Sequence, residues 1–229
     1  MKYLSALLTQ ASGSLGGATA SKNRGGNYFR ARVAPVQPRT VAQQSVRSNL
    51  ATLAAMWKTL TAAQIAGWNS LASGVTLSDA LGNSYTPSGI DLFVGNNRNL
   101  EAIAEAVVED PPASNASFED ISPLVATVTA GTPAFTIVPT IGAAPTGFKF
   151  LVRCTRQLSP GISYIGQSDY RVIGSFAATA FASLDVLTDY NARFGTLVAG
   201  QKIGIAVSLV EIISGFSSLQ FTATAIVGA

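Results

Sequence analysis

The spacing of apolar residues changes once along this chain, and that change limits the fold more than any single motif does. Between residues 40 and 107 apolar side chains recur every three or four positions, as in Val46, Leu50, Leu53 and Trp57, the spacing of one helix face. From residue 124 the pattern becomes short runs broken by Gly, Pro and Asn: LVATVTAG, AFTIVPTI, FKFLVRCTRQLS, YRVIGSFAA, GQKIGIAVSLVE and LQFTATAIV. Runs of that length and composition predict the strands of an antiparallel β-sandwich. The chain lacks a Cys…Trp…Cys signature, so a fibronectin-like sandwich is expected rather than an antibody-type one. Between the two patterns lies VEDPPASNASFEDISP, residues 108–123, whose Pro, Ser, Asn and acids read as a linker. The expected class is therefore α+β: an extended arm with a β-hairpin (1–39), a helical unit (40–107), the linker, and a sandwich (124–229).

Local signals place the helices. Thr40 with Gln43 and Thr61 with Gln64 both form capping boxes, in which side chain and backbone at the first turn satisfy each other's free groups. Val46, Leu50, Leu53 and Trp57 then define the inner face of the first helix, and Ile65, Trp68 and Leu71 that of the second. Trp57 and Trp68 are expected to anchor the pair. Ser88 caps a third helix with Leu92, Phe93, Asn96, Leu100, Ile103 and Val107 inside, and Asn96, Asn97 and Asn99 are expected to bond the preceding loop. SLDVLTDYNARFG reads as a short helical crossover within the β part.

The leading segment is different in kind. ATASKN and YFRARV flank the turn RGGN, which predicts a hairpin, and Pro35 and Pro38 then favour an extended strap. Along the second strand Tyr28, Arg30 and Arg32 share one face, and Phe29, Ala31 and Val33 the other. The opening MKYLSALLTQASGS has too short an apolar run for a secretory segment and is expected to pack on a neighbour as a short strand or helix. No run approaches the length of a membrane span.

Charge is segregated. Residues 1–78 hold eight Lys and Arg and no acid, whereas residues 79–120 hold eight acids and Arg98. Such asymmetry calls for a partner of opposite sign. The acidic segment of another copy explains both halves, and nucleic acid explains one. Only 12% of residues are charged against 48% hydrophobic, a deficit of polar cover that points to surface buried between subunits. Arg24, Tyr28, Phe29, Arg30, Arg32 and Arg39 are the expected interface residues.

Catalytic sets are hard to assemble from this composition. There is no histidine and one cysteine, Cys154, which removes His-based acid–base chemistry, most zinc sites and Cys/His pairs. Cys154 falls in a β run and reads as a small buried hydrophobe. Glu109–Asp110 and Glu119–Asp120 lie in the linker rather than in a rigid cleft, and GSLGG lacks the GK[ST] of a phosphate loop. Asp169, Asp185 and Asp189 could face a cation, but exposed loop acids are the simpler reading. Neither an enzymatic activity nor a cofactor or metal is expected.

The stretch from ASGSLGGATASKNRGGNYFRARVAPVQPRTVAQQ to the tryptophans on either side of LTAAQ resembles a family. It is similar to the N-terminal module of virion structural proteins encoded by tailed bacteriophages and prophages, and SGIDLFVGNNRNL resembles that family's next segment. Ile65 and Gly67 depart from the more charged second helix of that pattern. The resemblance spans roughly residues 11–105. It implies a non-enzymatic capsid-associated (decoration) or tail component, assembled in the host cytoplasm and carried in the virion, with copies of itself or a major virion protein as partners. Two alternatives stand beside it: a filament or pilus subunit that donates a strand, and a nucleic-acid-binding module.

Overall fold

Helix starts fall where the capping boxes put them. The computed structural model describes residues 13–23, 26–34, 36–78, 84–114, 118, 121–141, 146–178 and 183–229, and the chain divides into two units, Met1–Val46 and Arg47–Ala229. The expectations for residues 1–12 and for Arg24 lie outside the described residues.

In the first unit, β1 (Gly13–Leu15), β2 (Ala18–Asn23) and β3 (Gly26–Ala31) form an antiparallel sheet in that order. The hairpin expected from ATASKN and YFRARV is β2–β3, with Ser21 opposite Tyr28 and Thr19 opposite Arg30. Strand β1 has no counterpart in the sequence reading, because GSL is too short to show alternation. Gly16 opens its turn at φ +56, a region that glycine enters without steric cost. Residues 36–40 have no regular secondary structure and include Arg39, whose φ of +49 is left-handed. The Gln43 N–H then donates to Thr40 Oγ1 at 3.3 Å and the Thr40 N–H to Gln43 Oε1 at 3.4 Å, which starts α1 (Val41–Thr59).

The second unit begins within α1 and continues through α2 (Ala62–Ser73), a two-residue ladder of β4 (Leu77–Ser78) with β5 (Ser84–Tyr85), and α3 (Gly89–Ala102). Thr61 and Ser88 cap α2 and α3 with complete boxes. Phe93 sits between the tryptophans, 5.5 Å from the Trp57 ring and 5.5 Å, edge-on, from Trp68. Leu53, Leu60, Trp68, Ala72 and Leu92 close that core.

All six β runs are strands: β6 (Leu124–Thr129), β7 (Ala134–Pro139), β8 (Phe148–Cys154), β9 (Arg171–Ala177), β11 (Lys202–Glu211) and β12 (Phe221–Ile226). A short β10 (Leu184–Asp185) and α4 (Leu187–Phe194) occupy the expected crossover. The strands make two antiparallel sheets, β10-β7-β6 and β12-β11-β8-β9. Val128, Phe135 and Ile137 of the first share one buried cluster with Phe150, Val152, Ile203, Ile205 and Val207 of the second. The molecule is thus α+β with antiparallel sheets.

Strand β11 is buried from Ile203 to Val210 without a break. A strand buried on both faces reads as a continuous apolar run instead of an alternating one. At the Val210 end of β11 the second face meets the end of α3: Leu100 of the helix and Ile103 at its C-cap cluster with Leu151 and Val210. Helices and sheets therefore belong to one unit.

The stretch read as a linker is accordingly pinned. Asn97, fully buried in α3, donates to Val108 O at 3.0 Å and accepts from Val108 N at 2.8 Å. The Trp68 indole N–H donates to Glu109 O at 2.8 Å, and Ile121 lies in the sheet core. Pro- and Ser-rich composition signals the absence of helix and strand, not the absence of attachment.

Candidate functional site

The arm sheet has two unlike faces. Strand alternation and pairing put Leu15, Ala18, Ala20, Phe29 and Ala31 on one face, and Ser14, Thr19, Ser21, Tyr28 and Arg30 on the other. The first face is apolar, and no described residue before Leu53 is buried. Leu15 is 89% exposed, Phe29 36%, Val33 79% and Val36 89%. A sheet this small gains little stability from its own contacts, since isolated hairpins are marginal in water.

The structure places the expected interface residues as follows. Tyr28 is half-buried, and Phe29 and Arg30 are exposed on opposite faces of β3. Arg32 follows the strand, its N–H donating to Gly17 O at 2.8 Å, so pairing continues one residue past Ala31. Arg39 is exposed beside the α1 cap, away in sequence from the other arginines. Tyr28, Arg30 and Arg32 are thus gathered by β3, whereas Arg39 is not part of that strand.

The first helix adds a feature that spacing alone misjudged. Leu53 is buried and Trp57 half-buried, as an inner face requires, but Val46 is 45% exposed and Leu50 48%. The apolar stripe of α1 therefore runs past its buried part. Periodicity identifies such a stripe but carries no information about which molecule covers it.

The acids proposed as the arm's counterpart are partly engaged in their own chain. Glu105 pairs with Lys149 at 2.6 Å. Asp91 accepts from the Ser88 N–H and hydroxyl at the start of α3, a favourable place for negative charge at a helix N-terminus. Glu101 accepts from Asn49 at 3.2 Å and Asp110 from Gln64 at 2.9 Å. Neutral donors orient Asp91, Glu101 and Asp110 without neutralising them. Asp79, Glu119 and Asp120 lie outside the described residues. The asparagines expected to bond the preceding loop do otherwise: Asn97 holds Val108, and Asn99 Nδ2 donates to Gly215 O at 2.9 Å.

No family model, curated protein or solved structure matches this chain. Its own surfaces carry the functional reading. Among the described residues no three His, Cys, Asp or Glu side chains gather as a metal site would require, and no helix is long and apolar enough to cross a membrane. Cys154 is fully buried, and burial pushes its thiol up to about 12, far from the range of a reactive thiolate. Burial likewise raises Tyr190, with Cys154 adding to the shift; its hydroxyl donates to Thr155 O at 3.2 Å.

Proposed function

We propose that this chain is a non-enzymatic structural subunit of a tailed-phage virion, capsid-associated or tail, that assembles through its N-terminal arm. The observation that carries the reading is an apolar sheet face, Leu15, Ala18, Ala20, Phe29 and Ala31, on a segment none of whose described residues is buried, with Leu15 89% exposed. An exposed apolar side chain of that size is a liability in a dispersed monomer and an asset in an assembly. Covering each large apolar side chain would contribute up to about 1.5–3 kcal/mol. Arg30, Arg32 and Arg39 are all exposed, and the acidic surface of Asp91, Glu101, Glu109 and Asp110 on a neighbouring copy offers the complementary charge. In the same reading the two sheets of residues 124–229 are a fibronectin-like sandwich that projects from the assembly.

Deleting residues 1–39 tests the proposal. The truncated chain keeps Thr40 as a cap and should retain the cooperative unfolding of the full chain, yet fail to enter particles. Normal incorporation would remove the arm from the mechanism.

One observation favours the filament alternative enough to keep it: among the described residues β1 and β3 are the edge strands of a three-stranded sheet, each paired with β2 alone. Open edges accept added strands. Electron microscopy of purified protein separates the readings, since unaided helical fibres mark a filament and monomers that bind only to preformed shells mark decoration.

A further inference from the structure

At one edge of the four-stranded sheet Arg171 shares one depression with Arg193 and an adjoining one with Arg156. Strand β9 is the outer strand there, and α4 packs against it. An open cleft of ≈ 670 Å³ is lined by Arg171 and Ile173 of β9 and by Asp189, Ala192, Arg193 and Phe194 of α4. A second depression, of ≈ 260 Å³, shares Arg171 and Phe194 and adds Arg156 and Asp169. Gly174 helps to form the cleft: Asp189 Oδ2 lies 3.3 Å from where a Cβ on that residue would stand.

The arginines are arranged for a ligand more than for the fold. Arg171 is held in place by its Nη1, which donates to the carbonyls of Ser168 and, at 2.9 Å, Tyr170. Its remaining N–H groups are left to point elsewhere, on a guanidinium already oriented. Among the described residues none of Arg156, Arg171 and Arg193 forms an ion pair, although Asp169 and Asp189 line the same depressions. Asp169 instead accepts from the Gly166 N–H at 3.0 Å.

The mixture of groups narrows the chemistry. A bare phosphate would meet the guanidinium groups but leave Asp189, Asp169 and the apolar side chains without a partner in the ligand. Those carboxylates suit hydroxyl donors, and Ile173 and Phe194 suit the C–H face of a ring. We propose that this cleft binds a saccharide bearing an oxyanion, a carboxylate or a phosphate on a sugar ring. The arginines take the oxyanion through charge-assisted, bidentate hydrogen bonds, and Asp189 accepts from ring hydroxyls. The proposal is independent of the arm and of the assembly it serves.

Calorimetric titration of the full chain with glucuronate, glucose 6-phosphate, glucose and inorganic phosphate tests it. At least one charged sugar should bind about tenfold or more tighter than either glucose or inorganic phosphate. Preference between the two charged sugars distinguishes carboxylate from phosphate as the anchor. Arg171→Gln and Arg193→Gln should each weaken that binding by about tenfold, with circular dichroism confirming the fold, while Arg30→Gln leaves it unchanged. Asp189→Asn should weaken the charged sugar and strengthen inorganic phosphate. Absence of binding by both charged sugars, glucose or inorganic phosphate binding as tightly as they do, or affinity unmoved by both arginine substitutions would overturn the proposal.

Discussion

Replacing Asn97 by alanine probes the least expected contact in the molecule. The side chain is fully buried in α3 and makes three hydrogen bonds: to Phe93 O and Val108 O, both at 3.0 Å, and from Val108 N at 2.8 Å. Phe93 O keeps its place in the helix ladder without Asn97, so its loss matters little. Val108 loses the acceptor for its N–H and the donor for its C=O together. Each buried polar group left unsatisfied costs about 1–3 kcal/mol, and Val108 is only half-buried, which lets water recover part of that. The sum is about 2–4 kcal/mol. With a urea m-value of roughly 2–3 kcal/mol/M, the denaturation midpoint should fall by about 1 M with the slope unchanged. Tryptophan fluorescence is a suitable probe, since the Trp68 indole donates to the next residue, Glu109. A midpoint shift under about 0.3 M would show that residues 108–112 are held loosely against α2 and α3.

Two further outcomes follow from close packing and from burial. Gly215 has φ +75, and an added Cβ would lie 2.2 Å from Asn96 O, so Gly215→Ala must move the turn off α3; a loss of about 3 kcal/mol is expected, read as a melting-temperature drop of roughly 6–12 °C. An unchanged melting temperature would contradict that contact. The Cys154 thiol is raised from 9.0 to about 12 in the folded chain, so its contribution is fully present below pH 9 and is lost as pH rises from there towards 12. Between pH 9 and 10 the full chain should lose about 1 kcal/mol more stability than Cys154→Ala, a slope that urea melts at the two pH values measure directly. Equal slopes would mean that water reaches the thiol.

Much of the architecture was legible because its signals are local. Thr40, Thr61 and Ser88 announce helix starts through their own side chains, and RGGN places the β2–β3 turn whatever surrounds it. The six β runs carried the same kind of mark. Contacts between elements were not legible. Nothing in GNNRN says that Asn97 will hold Val108, eleven residues later, because the spacing that unites them exists only after α3 ends and the chain turns back. Val46 and Leu50 have the spacing of core residues and are exposed, since periodicity reports an apolar face without its partner. The cleft arginines Arg171 and Arg193 lie on β9 and α4, with β10 between them, so only topology brings them together.

Hydrogen exchange of the arm, in the dispersed chain and in the assembled particle, tests the central claim most directly. Amides of residues 18–31 should exchange close to the unprotected rate in the dispersed chain, because none of the described residues of that sheet is buried. In the particle they should slow by about a hundredfold or more, while β8 and β11 remain protected in both states. Equal protection of residues 18–31 in the two states would show that the arm is complete without a neighbour, and would contradict the assembly role.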